Sequence, residues 1–280
     1  MVQAATSPLR WLIGAELKRY RSEARMTLAQ AAERAGMSLP KLGHLEVGRQ
    51  QQDPEDIAAL LTAYDAPARD IDRLTTLTGR ADEATWWAPW AQIVPDWLRT
   101  YVGLEALAES AFCFQPFAVP GLLQTQDYAA AVTANAKSIR PDHGERFVKF
   151  RMARTQRLTD PNRPLKLQAV IPEGALRLAV GTPEVRREQL QHLLTMAELP
   201  TVTIQVIRPE DGPHSGLSSG GFVVLDFGSA ARPVVYIELK DGAVYLQEEM
   251  QVDAYTMVVA DLQQVAMSPE QSRELIASML

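Results

Sequence analysis

The sequence predicts an all-α N-terminal bundle followed by a larger α/β (or α+β) C-terminal domain. Three observations carry this reading. Ile13, Leu17 and Tyr20, and later Ile57, Leu60, Leu61 and Tyr64, recur at the three-and-four spacing of helices that bury one face. After Pro164 the pattern changes to period-two runs, LKLQAVI and TVTIQVI, separated by the amphipathic stretch TPEVRREQLQHLLTMAEL. A chain of 280 residues is also long enough for two separate cores. The expected divisions are 9–78 for the helical domain, 79–94 for a Trp-rich connector and 95–280 for the second domain.

Residues 1–8 read as a loose tail. In the first helix, LRWLIGAELKRYRSEA, Lys18, Arg19 and Arg21 lie opposite the apolar face. Met26 to Arg49 then reads as two short helices joined by a tight turn. The Thr27 hydroxyl caps the first, and Ala29 to Arg34 are good helix formers. Gly36 stands where the helix must end and the chain must take positive φ. Ser38 caps the second helix, and Pro40 falls in its first turn, where a missing N–H costs little. Ala31, Ala32, Ala35, Met37, Leu42 and Leu45 fall where the two helices bury against each other. A further helix follows in DPEDIAALLTAYDAP, and Ala66-Pro67 opens the last one of the unit, which runs to about Thr78. A helix, a Gly-containing turn and a second helix form the helix-turn-helix pattern, whose second helix enters a DNA major groove. Helical hairpins also pack in proteins that never touch nucleic acid; here the flanking helices complete a four- or five-helix bundle around the pair.

The segment GRADEATWWAPW, 79–90, holds three of the five tryptophans and reads as a connector packed against the second domain or another subunit. From Pro95, DWLRTYVGLEALAESA reads as a helix and FCFQPFAVPGLL as an extended apolar run closed by Pro120-Gly121. Thr125 caps TQDYAAAVTANA, and a polar helix near HGERFVKFRMARTQRL carries Arg146, Lys149, Arg151, Arg154 and Arg157. Val185, Leu190, Leu193, Leu194 and Ala197 form the stripe of the next helix. GGFVVLDF, PVVYIELK and GAVYLQ read as three more strands, and two helices close the chain, the last capped by Ser268 before Pro269.

The net charge is −6, but residues 1–49 hold 8 Lys/Arg against 4 Asp/Glu, so positive charge gathers on the segment that would face phosphate. A single cysteine, Cys113, excludes an intrachain disulfide and reads as a buried thiol in a reducing compartment. No run approaches the length of a membrane span, and MVQAATSPLRW lacks a secretion signal, so a cytoplasmic protein is expected.

Residues Ile13-Gly14, Leu17, Arg21, Met26-Thr27, Ala32, Gly36, Ser38, Leu45-Glu46 and Gly48-Arg49 resemble the Xre family of repressor-like DNA-binding domains over about residues 9–66. Tyr101, Glu105-Ala106, the PGLLQT segment 120–125, Tyr128, Arg151, Arg154, Glu173, Leu176, Gly181, Glu188-Gln189-Leu190 and Ser268-Pro269 resemble the actinomycete WhiJ-like group of Xre regulators, which share a C-terminal domain. The resemblance implies transcriptional control, often with a small partner protein encoded nearby in an antitoxin-like arrangement. It also implies that Glu46 supports the domain by pairing, with Arg21 as its candidate partner. Three positions depart from the family pattern: Leu28 in place of Gln, Gly43 in place of Ser or Thr, and Leu39 in place of a polar residue.

Position assigns the DNA-facing roles on double-stranded DNA. Leu39, Pro40, Lys41 and His44 lie early on the second helix, with Lys41 as donor to guanine O6 or N7, His44 as donor to a base or phosphate, and Leu39 for a thymine methyl. Thr27, Gln30, Ser38 and Arg49 suit phosphate contacts, which position without specifying. So sparse a reading surface predicts weak binding as a monomer and reliance on a homodimer. The second domain is expected to dimerise and to sense a small-molecule effector or partner protein, with Gln124, Arg151, Arg154, His214 and Ser215 as candidate contacts. An antitoxin-like protein that mainly holds a small partner is the alternative.

Catalysis is not expected. His214-Ser215 in the loop Glu210 to Phe222 pairs a base with a hydroxyl, yet no nucleophile elbow or phosphate-binding glycine loop accompanies it. Four scattered histidines and one cysteine show no metal-ligand spacing, so neither metal nor cofactor is expected.

Overall fold

A computed structural model of the chain describes residues 8–78, 88–90, 92–135, 143–229 and 231–280. The N-terminal tail before Pro8, and the connector apart from 88–90 and 92–94, lie outside the described residues. Two compact units emerge: Met1–Pro89 with Pro95–Leu107 and Phe227–Arg232, and Trp90–Val94 with Ala108–Asp226 and Pro233–Leu280.

Among the described residues, the longer elements of the first unit are all helices: α1 (Pro8–Glu23), α2 (Leu28–Arg34), α3 (Leu39–Glu46), α4 (Pro54–Ala63), α5 (Ala68–Thr78) and α6 (Asp96–Leu107). The five helices expected by Thr78 are all present, and α6 packs beside α1 in this same unit. Its core is Ile13, Leu17, Leu42, Leu45, Ile57, Leu60 and Leu61, each fully buried. Four successive helices end by one device, a left-handed residue followed by an N–H that reaches back five positions. At Gly36 (φ 67°) Met37 N–H donates to Ala32 O, and at Gly48 (φ 68°) Arg49 N–H donates to His44 O, each 2.9 Å. Arg25 (φ 56°) and Asp65 (φ 57°) do the same after α1 and α4 without glycine. These turns fix short helices that propensity alone would not hold.

The second unit is built on one six-stranded mixed sheet, in the order β3-β2-β1-β4-β5-β6. Its strands are β1 (Ser110–Phe114), β2 (Lys166–Pro172), β3 (Val202–Ile207), β4 (Phe222–Asp226), β5 (Val234–Leu239) and β6 (Gly242–Leu246). The strands β1, β2 and β3 run parallel; β4, β5 and β6 add antiparallel on the other side of β1. Strand β1 is paired on both edges, and its residues from Ala111 to Phe114, Cys113 among them, are all buried. That placement explains its continuous apolar run. The helices are α7 (Gln126–Asn135), α8 (Gly144–Thr155), α9 (Glu173–Arg177), α10 (Pro183–Met196), α11 (Gly216–Ser219), α12 (Glu249–Val265) and α13 (Pro269–Ala277). The chain is therefore an N-terminal helical region followed by an α/β domain. No helix among the described residues is long and apolar enough to cross a membrane.

The expected period-two strands appear as β2 and β3, the three later runs as β4 to β6, and the extended run as β1 continuing to a 3-10 turn at Gly121–Leu123. Helix α9 was not foreseen; EGALR is only one turn long and directly follows a strand.

Candidate nucleic-acid interface

The two-helix unit is assembled by local chemistry. Thr27 Oγ1 accepts from Gln30 N–H (3.3 Å) while Gln30 Oε1 accepts from Thr27 N–H (2.9 Å), closing a reciprocal cap on α2. Ser38 Oγ accepts from Lys41 N–H (3.4 Å) at the start of α3, with Pro40 inside the first turn as expected. Ala31 and Ala32 are buried and let α2 approach its neighbours closely.

Helix α3 is held from behind with little tolerance. A Cβ on Gly14 would stand 2.5 Å from Glu46 O and 2.7 Å from Leu45 O, so only glycine permits this approach of α1 to the end of α3. Gln52, 3% exposed, donates from Nε2 to both Leu45 O and Arg10 O, each 2.9 Å, bridging the same two helices. Arg21 grips Glu46 with two bonds, Nε at 2.6 Å and Nη2 at 2.8 Å, and donates from Nη1 to Met26 O at 3.0 Å. This pair is the one the family pattern implied. The bond to Glu46 holds the Arg21 guanidinium above its ordinary value. Burial, with the nearby Glu46 charge, pushes the Tyr64 phenol up, and its hydroxyl has no hydrogen-bond partner.

Facing outward are Thr27, Gln30, Ser38, Leu39, Pro40, His44 and Arg49, all exposed. Leu39 is 47% exposed and Val47, at the far end of the helix, likewise 47%. The eight DNA-facing candidates thus share one small two-helix unit, and seven of them lie on its solvent side. Lys41 is the exception, half-buried with its Nζ 2.7 Å from the Asp56 carboxylate in the first turn of α4. That contact was not legible, because Asp56 reads equally well as a helix-start acid. Val47 was also missed; nothing in its spacing separates it from the core positions Leu42 and Leu45.

The ligand-facing candidates divide into separate places in the second unit. The PGLLQT turn is held by two glutamines. Gln124, 4% exposed, donates to Val119 O at 2.8 Å and accepts from Arg151 Nη1 at 3.1 Å. Gln189 from α10 accepts from Thr125 N–H (2.8 Å) and donates to Leu123 O (2.7 Å). Gln124 is thus engaged internally. Gln189 belongs to the Glu188-Gln189-Leu190 stretch that carries the family resemblance, but its role as the partner of the PGLLQT turn is not legible from the sequence. Burial, reinforced by the like charge of Arg154 and opposed by Glu238, pushes the Arg151 guanidinium down to about 10. Arg157 of the same basic set does structural work, donating to Ala108 O at 2.9 Å and to Arg163 O.

His214 and Ser215 precede α11, in the loop that leads from β3 into β4, which pairs with β1. His214 meets the Phe114 ring edge-on at 5.8 Å, and its buried Nδ1 has no partner. Ser215 N–H donates to Asp261 at 2.8 Å. The crevice beyond the carboxyl ends of parallel strands is where open α/β sheets bind ligands. The two candidate groups, Gln124/Arg151/Arg154 and His214/Ser215, occupy different parts of the unit.

A helix-turn-helix protein with an appended α/β domain is the class this architecture defines. In agreement, a helix-turn-helix domain model matches residues 12–74. A second model, described as Domain of unknown function (DUF5753), matches residues 98–278, well over half the chain. The chain belongs to the DUF5753 family. No curated protein and no solved structure matches it.

Proposed function

We propose that this chain is a cytoplasmic transcriptional regulator of the Xre type, within the WhiJ-like group, that acts by binding and not by catalysis. The helix-turn-helix match supports DNA binding as such. The observation that carries the finer reading is α3 itself. Its buried side is fixed to α1 by Gly14, Gln52 and the Arg21–Glu46 pair, while Leu39, Pro40 and His44 stand exposed on the other side. A rigidly mounted short helix with a bare outer face is what major-groove insertion requires. Lys41 supplies the one strong donor to guanine, Leu39 an apolar contact for a thymine methyl, and Arg49, Thr27, Gln30 and Ser38 the phosphate contacts.

One head of this kind offers few phosphate contacts, so two copies on paired half-sites about 34 Å apart supply the affinity. In this reading the α/β domain joins the copies and answers to a small effector or a partner protein.

The test is binding of the full chain to duplexes from its own promoter and to random duplexes across a salt series. Preference for the promoter, lost in Lys41→Ala, supports the reading. Equal binding to both, unchanged by Lys41→Ala with Arg49→Ala, sinks it.

A further inference from the structure

Opposite its buried side, α3 presents a row of residues with almost no hydrogen-bonding groups. Leu42, Leu45 and Glu46 face inward, and helical spacing puts Pro40, Gly43, His44 and Val47 on the far side, with Leu39 at one shoulder. Pro40 and His44 are exposed, and Leu39 and Val47 are each 47% exposed. The other shoulder is Lys41, half-buried with its Nζ 2.7 Å from Asp56. Of the residues on the outer row and the Leu39 shoulder, His44 alone brings a side-chain donor or acceptor. Leu28 of α2, half-buried, extends the non-polar surface: its Cδ2 lies 3.7 Å from where a Cβ on Gly43 would stand. Single exposed apolar residues need no explanation. Here they make up most of one side of the helix that a helix-turn-helix domain lays in the major groove.

The chemistry of the base edges decides what such a surface can select. In the major groove guanine, adenine and cytosine show hydrogen-bonding groups, and thymine alone adds a methyl. An apolar side chain laid on a polar base edge strips its water without replacing the lost hydrogen bonds, which is costly. Laid on a thymine methyl, the same side chain takes apolar surface out of water on both partners. Leu39 and Val47 are eight residues apart, about 12 Å along a helix. Base pairs follow one another at about 3.4 Å, so the two ends of the face meet different base pairs, with His44 between them.

We infer that α3 reads thymine methyls. The preferred operator carries thymine under Leu39 and Pro40 at one end of the helix and under Val47 at the other, with Lys41 serving a guanine beside them. Selection at the thymines comes from methyl contact and not from hydrogen bonds. This rests on the proposed DNA-binding role and names the class of site that role selects.

The experiment compares binding of the full chain to its promoter duplex and to the same duplex synthesised with deoxyuridine for every thymidine. That exchange deletes the methyls and keeps every base-pairing group. Affinity should fall by about fourfold for each contacted methyl, and so on the order of tenfold for one at each end of the face. In the double variant Leu39→Ala with Val47→Ala, whose replaced side chains are exposed, the two duplexes should bind nearly alike. An affinity unchanged by deoxyuridine overturns the inference. So does a deoxyuridine loss that the double variant keeps in full, since that loss reports the altered duplex and not α3. Preference for promoter over random duplex, measured in the same series, separates the two ideas. A preference that survives deoxyuridine undiminished removes methyl reading and leaves the regulator standing. No preference on the thymidine duplex removes the regulator and methyl reading with it.

Discussion

Two glycines in the first unit make opposite demands. Gly14 has backbone oxygen where its Cβ would go, so Gly14→Ala must force α1 and α3 apart. We expect it to lower stability by about 3 kcal/mol, as overpacking against an unyielding backbone does, read as a shifted denaturant midpoint with unchanged slope. Gly43 is helical, and a Cβ there would meet only Leu28 Cδ2, at an ordinary 3.7 Å. Gly43→Ala should therefore stabilise the chain by about 0.5–1 kcal/mol. Both substitutions add a single methyl group at α3, one against its backbone and one on it, so the contrast tests the packing directly. His192 on α10 gives a pH-dependent counterpart. Burial holds its imidazole below the ordinary value of 6.5. The unfolded chain then binds more protons in the window below 6.5, so stability falls as pH drops through it. His192→Gln should lose less stability than the parent between pH 7 and pH 5, measured by chemical unfolding at both.

At the scale of elements, legibility follows the range of the forces. Caps at Thr27, Ser38, Thr125 and Ser268 and the turn at Gly36 act within about five residues, and each is found where the sequence places it. The strands of the second unit were readable for the same reason, since alternation reports burial residue by residue. What stayed hidden joins distant positions: Gln52 across α1 and α3, Lys41 to Asp56, and Gln189 reaching over 60 residues back to the PGLLQT turn. Polar residues in such roles look like any surface Gln or Asp until the fold is known. The PGLLQT turn was correctly singled out as distinctive, yet the physical basis of its order lies in α10. Gln189→Ala would leave Thr125 N–H and Leu123 O without partners in a buried site, at a cost of about 1–3 kcal/mol. Amide hydrogen exchange should show Thr125 losing protection first. An unchanged exchange rate there would mean that the turn orders itself.

For the molecule as a whole, a net charge of −6 hides a basic N-terminal segment, and the proposed function depends on that segment meeting DNA. Its reading surface is narrow. Lys41 is the one lysine among the base-facing candidates, and it is held by Asp56 at 2.7 Å in the absence of DNA. Replacing that carboxylate should therefore raise affinity for any duplex, since it frees Lys41 and removes an acid near the phosphates.

The most direct measurement of the central claim is the affinity of the full chain for its promoter duplex and for random duplex, by fluorescence anisotropy at several salt concentrations. The parent should prefer the promoter. Lys41→Ala should reduce that preference by about 1–3 kcal/mol, Arg49→Ala should flatten the salt dependence by about one counterion, and Asp56→Asn should tighten binding to both duplexes. Equal affinity for the two duplexes, indifferent to salt and to all three substitutions, would contradict the assignment of α3 as a DNA-reading helix.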